Sequence, residues 1–461
     1  MQFALVGILP LQIKLGPDGC AVHYPPPGYP NLDSEYRSHV IGSDRRTKGT
    51  LMKRHYHLIA AALAVLVLTG CLGNAFNLGS SANPPTDVTL VAGDSSVTVS
   101  WTMAPNVQYW IFSAPGDSIT TDNWTKLSGG RATIDAISPL VISGLSNGFN
   151  YSFTINARTD GGPGGPGSAS VTAMPRLAGT KWSLANPLAN DLRGTAFGTL
   201  FVAVGAHGAL YSTPDFNSWT PVTWTAQTNP VGDPPDLNAV VYGTAGYVAT
   251  GARGAMLLST DAITWTAQNS GTANNLYALA SNGGSVYLAV GANGSIINTT
   301  DGKAWATANS GTNQDLFGLA YGNGLYVAVG ANGTLLTSTD GTTWQSVASN
   351  TSARLNSVAY GVNATTSIAT FVAVGEAGTV ITSIDGSTWT VQSPTTTNNL
   401  ASISYGRQYV TVGDKGTILT STDGSTWQVQ ASGTVSNLTA VAHSSVGYSA
   451  VGAGGTNLSA I

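Results

Sequence analysis

The chain has 461 residues, a length that suggests roughly three domains. Charged residues make up 9 %, against about 25 % in ordinary soluble proteins; 18 basic and 22 acidic side chains leave a net charge of −4, without the clustered basic face that nucleic-acid binding needs. Two cysteines, Cys20 and Cys71, exclude a disulfide framework or a multi-cysteine zinc site, while 42 % hydrophobic residues and 56 glycines favour a cored, turn-rich, strand-rich chain over a disordered one.

In chain order, residues 1–51 carry no periodic apolar pattern; Pro25-Pro26-Pro27 and Asp44-Arg45-Arg46 read as uncollapsed chain ahead of a second start at Met52. Met52, Lys53 and Arg54 lead into an apolar run from Leu58 to Leu68, then Thr69-Gly70-Cys71. A basic start, a short apolar stretch and small residues have the form of a secretory signal over 52–70. The run is too short for a bilayer span, which takes about 20 residues. Leu68-Thr69-Gly70-Cys71 resembles the bacterial lipobox, and that resemblance implies lipidation of Cys71 and attachment to a membrane. From Cys71 onward 11 basic residues face 17 Asp and Glu376, a charge of −7. Leu72 stands where an inner-membrane-retention Asp would be, which favours an outer-membrane or surface destination in a bacterial envelope.

Residues 71–83 are Gly/Ser/Asn-rich and read as a tether. Short alternating strands follow at Val88–Val91, Val97–Trp101, Tyr109–Ser113, Leu140–Ile142, Tyr151–Ala157 and Ala169–Ala173, the spacing of a β-sandwich. Pro84-Pro85, Trp101, and Leu145 followed by Tyr151 resemble a fibronectin type III domain over 84–175, which implies a spacer and makes Tyr151 a tyrosine corner. Two motif matches are set aside. Gly144 to Gly148 fits G-x-S-x-G but lies between strands rather than at a strand-to-helix turn. Gly162 to Gly167 fits G-x-G-x-x-G with no helix after it to receive phosphate, and reads as loop composition.

From Lys181 to Ile461 the sequence repeats every 40 residues or so. Trp182, Trp224, Trp265, Trp305, Trp344, Trp389 and Trp427 are spaced by 42, 41, 40, 39, 45 and 38 residues. Strand sets begin near Leu192, Leu237, Leu276, Leu316, Leu355, Leu400 and Leu438, so four-stranded repeats of this length predict a β-propeller with seven blades. The last set lacks a fourth strand and the segment at Trp182 lacks the first three, so the two ends are expected to complete one blade. Asp-Gly pairs at 301–302, 340–341, 385–386 and 423–424 predict tight hairpins, and each Trp is expected to anchor its outer strand. The fold class is therefore all-β: a sandwich, then a seven-bladed propeller at 181–461.

Ser338-Thr339-Asp340-Gly341-Thr342-Thr343-Trp344 and its copy ending in Trp427 resemble the Asp-box, or bacterial neuraminidase repeat. Joined to Val327-Ala328-Val329-Gly330, they are closer to the propellers of photosystem II assembly and stability factors. Catalysis is not expected. A sialidase needs an arginine cluster, whereas Arg193, Arg253, Arg354 and Arg407 occupy different repeat positions, and the sole Glu after residue 70 is Glu376, against the carboxylate pair of other glycosidases. No catalytic residue, metal site or cofactor is assigned. The Gly-x-x-Gly turns instead present a changing residue from a constant frame, which suggests a recognition rim of His207, Arg253, Asn293, Asn332, Glu376, Asp414 and Lys415, with Gly454 in the last repeat, for a protein or glycan ligand. Two other functions stay open: a glycan hydrolase, and an assembly factor for a membrane complex.

Overall fold

The computed structural model describes residues 79–461, apart from 216–217, 225–233, 364–365, 394 and 445–446, and the backbone of Lys14–Leu15 and Ala21–Val22, which pair antiparallel. The signal segment and Cys71 lie outside the described residues.

Residues 81–173 form two antiparallel sheets around one core. One sheet orders Val171–Ala173, Tyr151–Arg158, Gln108–Pro115 and Arg131–Thr133, with Ser81–Ala82 added to Tyr151–Arg158; the other is Thr89–Gly93, Ser96–Ser100 and Leu140–Ser143. Alternation places Tyr109, Ile111, Phe153, Ile155 and Ala157 against Val97, Val99 and Trp101. Trp101 is 6 % exposed and meets Tyr109 in a tilted ring contact at 5.6 Å. The Tyr151 hydroxyl accepts the Ser146 backbone N–H at 3.0 Å. Arg131–Thr133 is a strand that the sequence pattern did not single out.

Seven four-stranded antiparallel sheets follow. Ser183–Leu184 pairs with Asn457–Ala460, so the first strand after the sandwich is the outer strand of the last blade. Asn457 Nδ2 to Asn186 O at 2.8 Å and Thr439 Oγ1 to Leu192 O at 2.6 Å fasten that closure. The cores lie between blades rather than inside them. Trp389, 2 % exposed, packs with Phe371 and Ile381 of its own blade and with Val327 and Val329 of the blade before. The Trp thus joins neighbours as well as holding its own edge, and Trp344 is only half-buried. Buried tyrosines at the second strand of the blades add polar links: the Tyr448 hydroxyl donates to Gln408 O at 2.6 Å and accepts the Gly406 N–H at 2.8 Å.

Two expectations change. In the first blade the equivalent of Trp344 is Trp219, not Trp224. Thr213 Oγ1 and the Ser218 N–H bind Asp215 Oδ1 at 3.0 and 2.8 Å, which reproduces the Asp-box bonds just ahead of Trp219. Trp224 instead donates Nε1–H to Gly208 O at 2.9 Å. Nor are the Asp-Gly pairs two-residue hairpins. Strands Leu335–Ser338 and Gln345–Ser346 are joined by six residues, ordered by Asp340 Oδ1 accepting the N–H groups of Thr342 and Thr343 at 2.8 and 2.7 Å. Only the glycine needs the left-handed region there: Gly341 has φ +73°.

Candidate functional site

Each blade's second and third strands meet in a short turn whose second residue is left-handed: His207, Arg253, Asn293, Asn332, Ala377, Lys415 and Gly454, with φ between 51° and 63°. Six of those residues donate their N–H to the side chain that opens the next blade, for example His207 to Asp236 at 2.8 Å, Lys415 to Asn437 at 2.9 Å and Gly454 to Asp191 at 2.6 Å. Two of the expected rim residues sit one place earlier in the turn. Glu376 and Asp414 occupy the first turn position, that of Ala331, and Ala377 and Lys415 are the true tips. Arg253 lines a cleft with Trp224, Asn269 and Ser270 that includes neither Glu376 nor Asp414. The tips stand one per blade.

Convergence occurs further in. In all seven blades the pairing of strands one and two skips a residue right after the repeat leucine, as between Leu316 and Gly318. Such a bulge re-aims the side chain it carries. The bulged residues are Arg193, Asn238, Tyr277, Phe317, Asn356, Ala401 and Thr439, and all seven line the central channel. A small residue follows each, and the close approach of inner strands explains why: a Cβ on Gly318 would lie 2.7 Å from the Ser357 backbone. Because strand one starts where the two-to-three turn lies, this ring forms the channel mouth on the same face as the turn tips.

The ring is polar on one side and aromatic on the other. Arg193 pairs with Asp236 at 2.8 Å and donates to Asn238 Oδ1 at 3.1 Å. Asp236 is held below the usual carboxylate range chiefly by the His207 N–H, with Arg193 adding to it against partial burial. Opposite, Tyr277 and Phe317 stack at 5.2 Å, and the Arg354 guanidinium sits 3.8 Å over Phe317. Arg354 stands where other blades place Asp or Asn, so the turn cap is given up for a cation on an aromatic face. Asn356 Oδ1 in the ring and Thr195 Oγ1 further along the channel are buried without hydrogen-bond partners. The channel holds about 210 Å³, less than the usual small-molecule site. Anything larger has to sit on the mouth.

In the sequence the turn glycines and tryptophans are the louder signal, and the ring is the quieter one. Its signal was present: after each repeat leucine one position varies through Arg, Asn, Tyr, Phe, Asn, Ala and Thr, while its neighbours stay apolar or small. The Asp-box carboxylates are committed elsewhere. Backbone N–H groups of the turn hold Asp261 and Asp301 down to about 2 and Asp340 and Asp385 lower still. Asp423 is also held at about 2; partial burial opposes its charge, and the N–H groups of Thr426 and Ser425 outweigh that burial. An acid so strong, already saturated with donors, is a turn-former and a poor proton donor at neutral pH.

No family model matches the chain, and no curated protein does. Solved structures do. YCF48 bound to D1 peptide is 19 % identical with a TM-score of 0.50, over 61 % of this chain and 96 % of that one. YCF48 from Cyanidioschyzon merolae is 17 % identical with a TM-score of 0.48, over 61 % and 98 %. At this identity the likeness to the first concerns fold, and it agrees with what the sheets display: the C-terminal part of the chain is a β-propeller.

Proposed function

We propose that the propeller is a non-catalytic binding module that takes a segment of a partner protein across its channel mouth. The carrying observation is the departure from repeat symmetry at Tyr277, Phe317 and Arg354, an aromatic pair capped by a guanidinium across the ring from the Arg193–Asp236 pair. Aromatic and arginine side chains are the usual anchors of protein interfaces, and the narrow channel keeps the ligand on the surface. That a similar propeller, YCF48, has been solved with a D1 peptide supports a peptide over a glycan here, and favours the assembly-factor role over hydrolysis. The sandwich is read as a fibronectin type III spacer, and Cys71 as a lipidated anchor in the bacterial envelope.

Crosslinked capture from membranes tests this. Phe317→Ala with Arg354→Ala is expected to lower recovery of a stoichiometric partner about tenfold or more, with thermal stability unchanged. Cys71→Ser is expected to move the chain from the membrane to the soluble fraction. Equal capture by the double variant, or turnover of envelope polysaccharide by the purified chain, would overturn the reading.

A further inference from the structure

A second site lies on the sandwich, which the proposal above treats as a spacer. Outward-facing residues of its larger sheet are normally solvated. Here Ser152, Thr154, Asn156 and Arg158 are buried, paired across the sheet with Ala114, Phe112, Trp110 and Gln108. The turn at Trp124–Lys126 and the glycine-rich stretch at 162–167 cover them. The glycines are there for contact: a Cβ on Gly164 would fall 2.2 Å from Asn156 Nδ2 and 2.7 Å from an Arg158 nitrogen.

Between these walls is a cavity of about 470 Å³, lined by Trp110, Trp124, Asp122, Asn156, Arg158 and Gly164 among others, a volume usual for small-molecule sites. Arg158 is 8 % exposed and its guanidinium carbon lies 3.4 Å from the Trp110 ring centre. It donates to Asn156 Oδ1 at 3.2 Å, while its Nε and the Trp110 Nε1 are buried without partners. Among the described residues no carboxylate comes within ion-pair distance of it. Burial works against its charge, and Asp135 opposes that from further away. A buried cation without a counter-ion is unfavourable, and two orphaned donors beside aromatic faces describe a site awaiting an anion with an apolar face.

We infer that this cavity binds a carboxylated saccharide, a uronic-acid residue, with its carboxylate on Arg158 and its ring face against Trp124. Asn156, Asp122 and Thr121 would meet the hydroxyls. A peptide fits less well, because backbone groups in the middle of a sheet are spent in pairing and leave no edge for an added strand.

Calorimetric titration of the full chain with tetragalacturonate, its methyl ester and neutral galactotetraose tests the inference. The acid is expected to saturate below about 1 mM, with ester and neutral sugar at least about tenfold weaker, the loss of one charge-assisted contact. Arg158→Gln should abolish the preference, and Arg158→Lys, lacking the planar fork, should restore only part of it. Phe317→Ala on the propeller should leave it intact. The ester comparison uses the unaltered protein, so it decides even where Arg158 variants fail to fold. Equal binding of acid and ester, no saturation by the acid, loss of saccharide binding in Phe317→Ala, or preference for a peptide with a free C-terminal carboxylate would each overturn the inference.

Discussion

The propeller and the sandwich both bury polar side chains, and they satisfy them differently. In the propeller the solution is repeated. A residue that opens one blade caps the turn of the blade before, as Asn437 does for Lys415, and a bulge side chain reaches the next blade's leucine carbonyl, as Asn238 does at 2.9 Å and Asn356 at 2.8 Å. Repetition leaves one bulge position per blade free to vary, and Arg354 marks where even the cap was exchanged. The sandwich has one copy of everything. Its buried row ends at Arg158, whose Nε has no partner. A repeat protein displays function as a break in a pattern, whereas a single-copy domain displays it as an unmet requirement.

The closure of the ring is the largest test of the repeated half. Removing residues 452–461 takes away the strand that pairs with Ser183–Leu184 and opens an edge at both ends; loss of the cooperative thermal transition is expected, and a retained sharp transition would mean the blades do not depend on closure. Next comes the tryptophan that joins two blades. Trp389→Ala should cost about 3–5 kcal/mol in denaturant unfolding, and half-buried Trp344→Ala clearly less. Tyr448→Phe keeps the ring but removes the hydroxyl's bonds to Gln408 O and the Gly406 N–H, which still pair with each other at 3.2 Å, so the cost should be about 1 kcal/mol; Phe201 and Phe371 hold the same place in their blades, so the fold should survive. Gly341→Ala should cost about 1 kcal/mol for a left-handed alanine, an arrangement that Ala262 already adopts at φ 64°.

Blade count and ring closure were legible because Leu, Val-Ala-Val-Gly and Trp recur at a fixed period and both ends are incomplete units. The register inside a unit was less so. An insertion brings a second indole, Trp224, close to the spacing expected of Trp219, and only the hydrogen bonds of Asp215 decide between them. A Gly-x-x-Gly string does not say which inner residue turns left-handed, so it does not separate Glu376 from Ala377. The sandwich's Gly162–Gly167 stretch looked like mere loop because its purpose is contact with Asn156 and Arg158, neighbours on a strand whose burial no alternation pattern signals.

The smallest effect per residue sharpens the contrast most. Asp261, Asp301 and Asp423 titrate at about 2 in the folded chain, and Asp340 and Asp385 lower, against about 3.9 unfolded. A depressed carboxylate contributes stability that is fully present above its unfolded value and lost as pH falls through its folded one. The propeller should therefore hold constant stability from neutrality to about pH 5 and weaken progressively between about pH 4 and pH 2. Because these side chains are mostly exposed, each one's share is small and salt-sensitive, but five act together. Asp385→Asn keeps an acceptor oxygen and loses the charge, so its urea midpoint should fall at pH 7, and the deficit against the parent should narrow steadily as pH drops from about 4 to about 2. A deficit that persists undiminished at pH 2 would show that the turn is held by shape alone, without the charge.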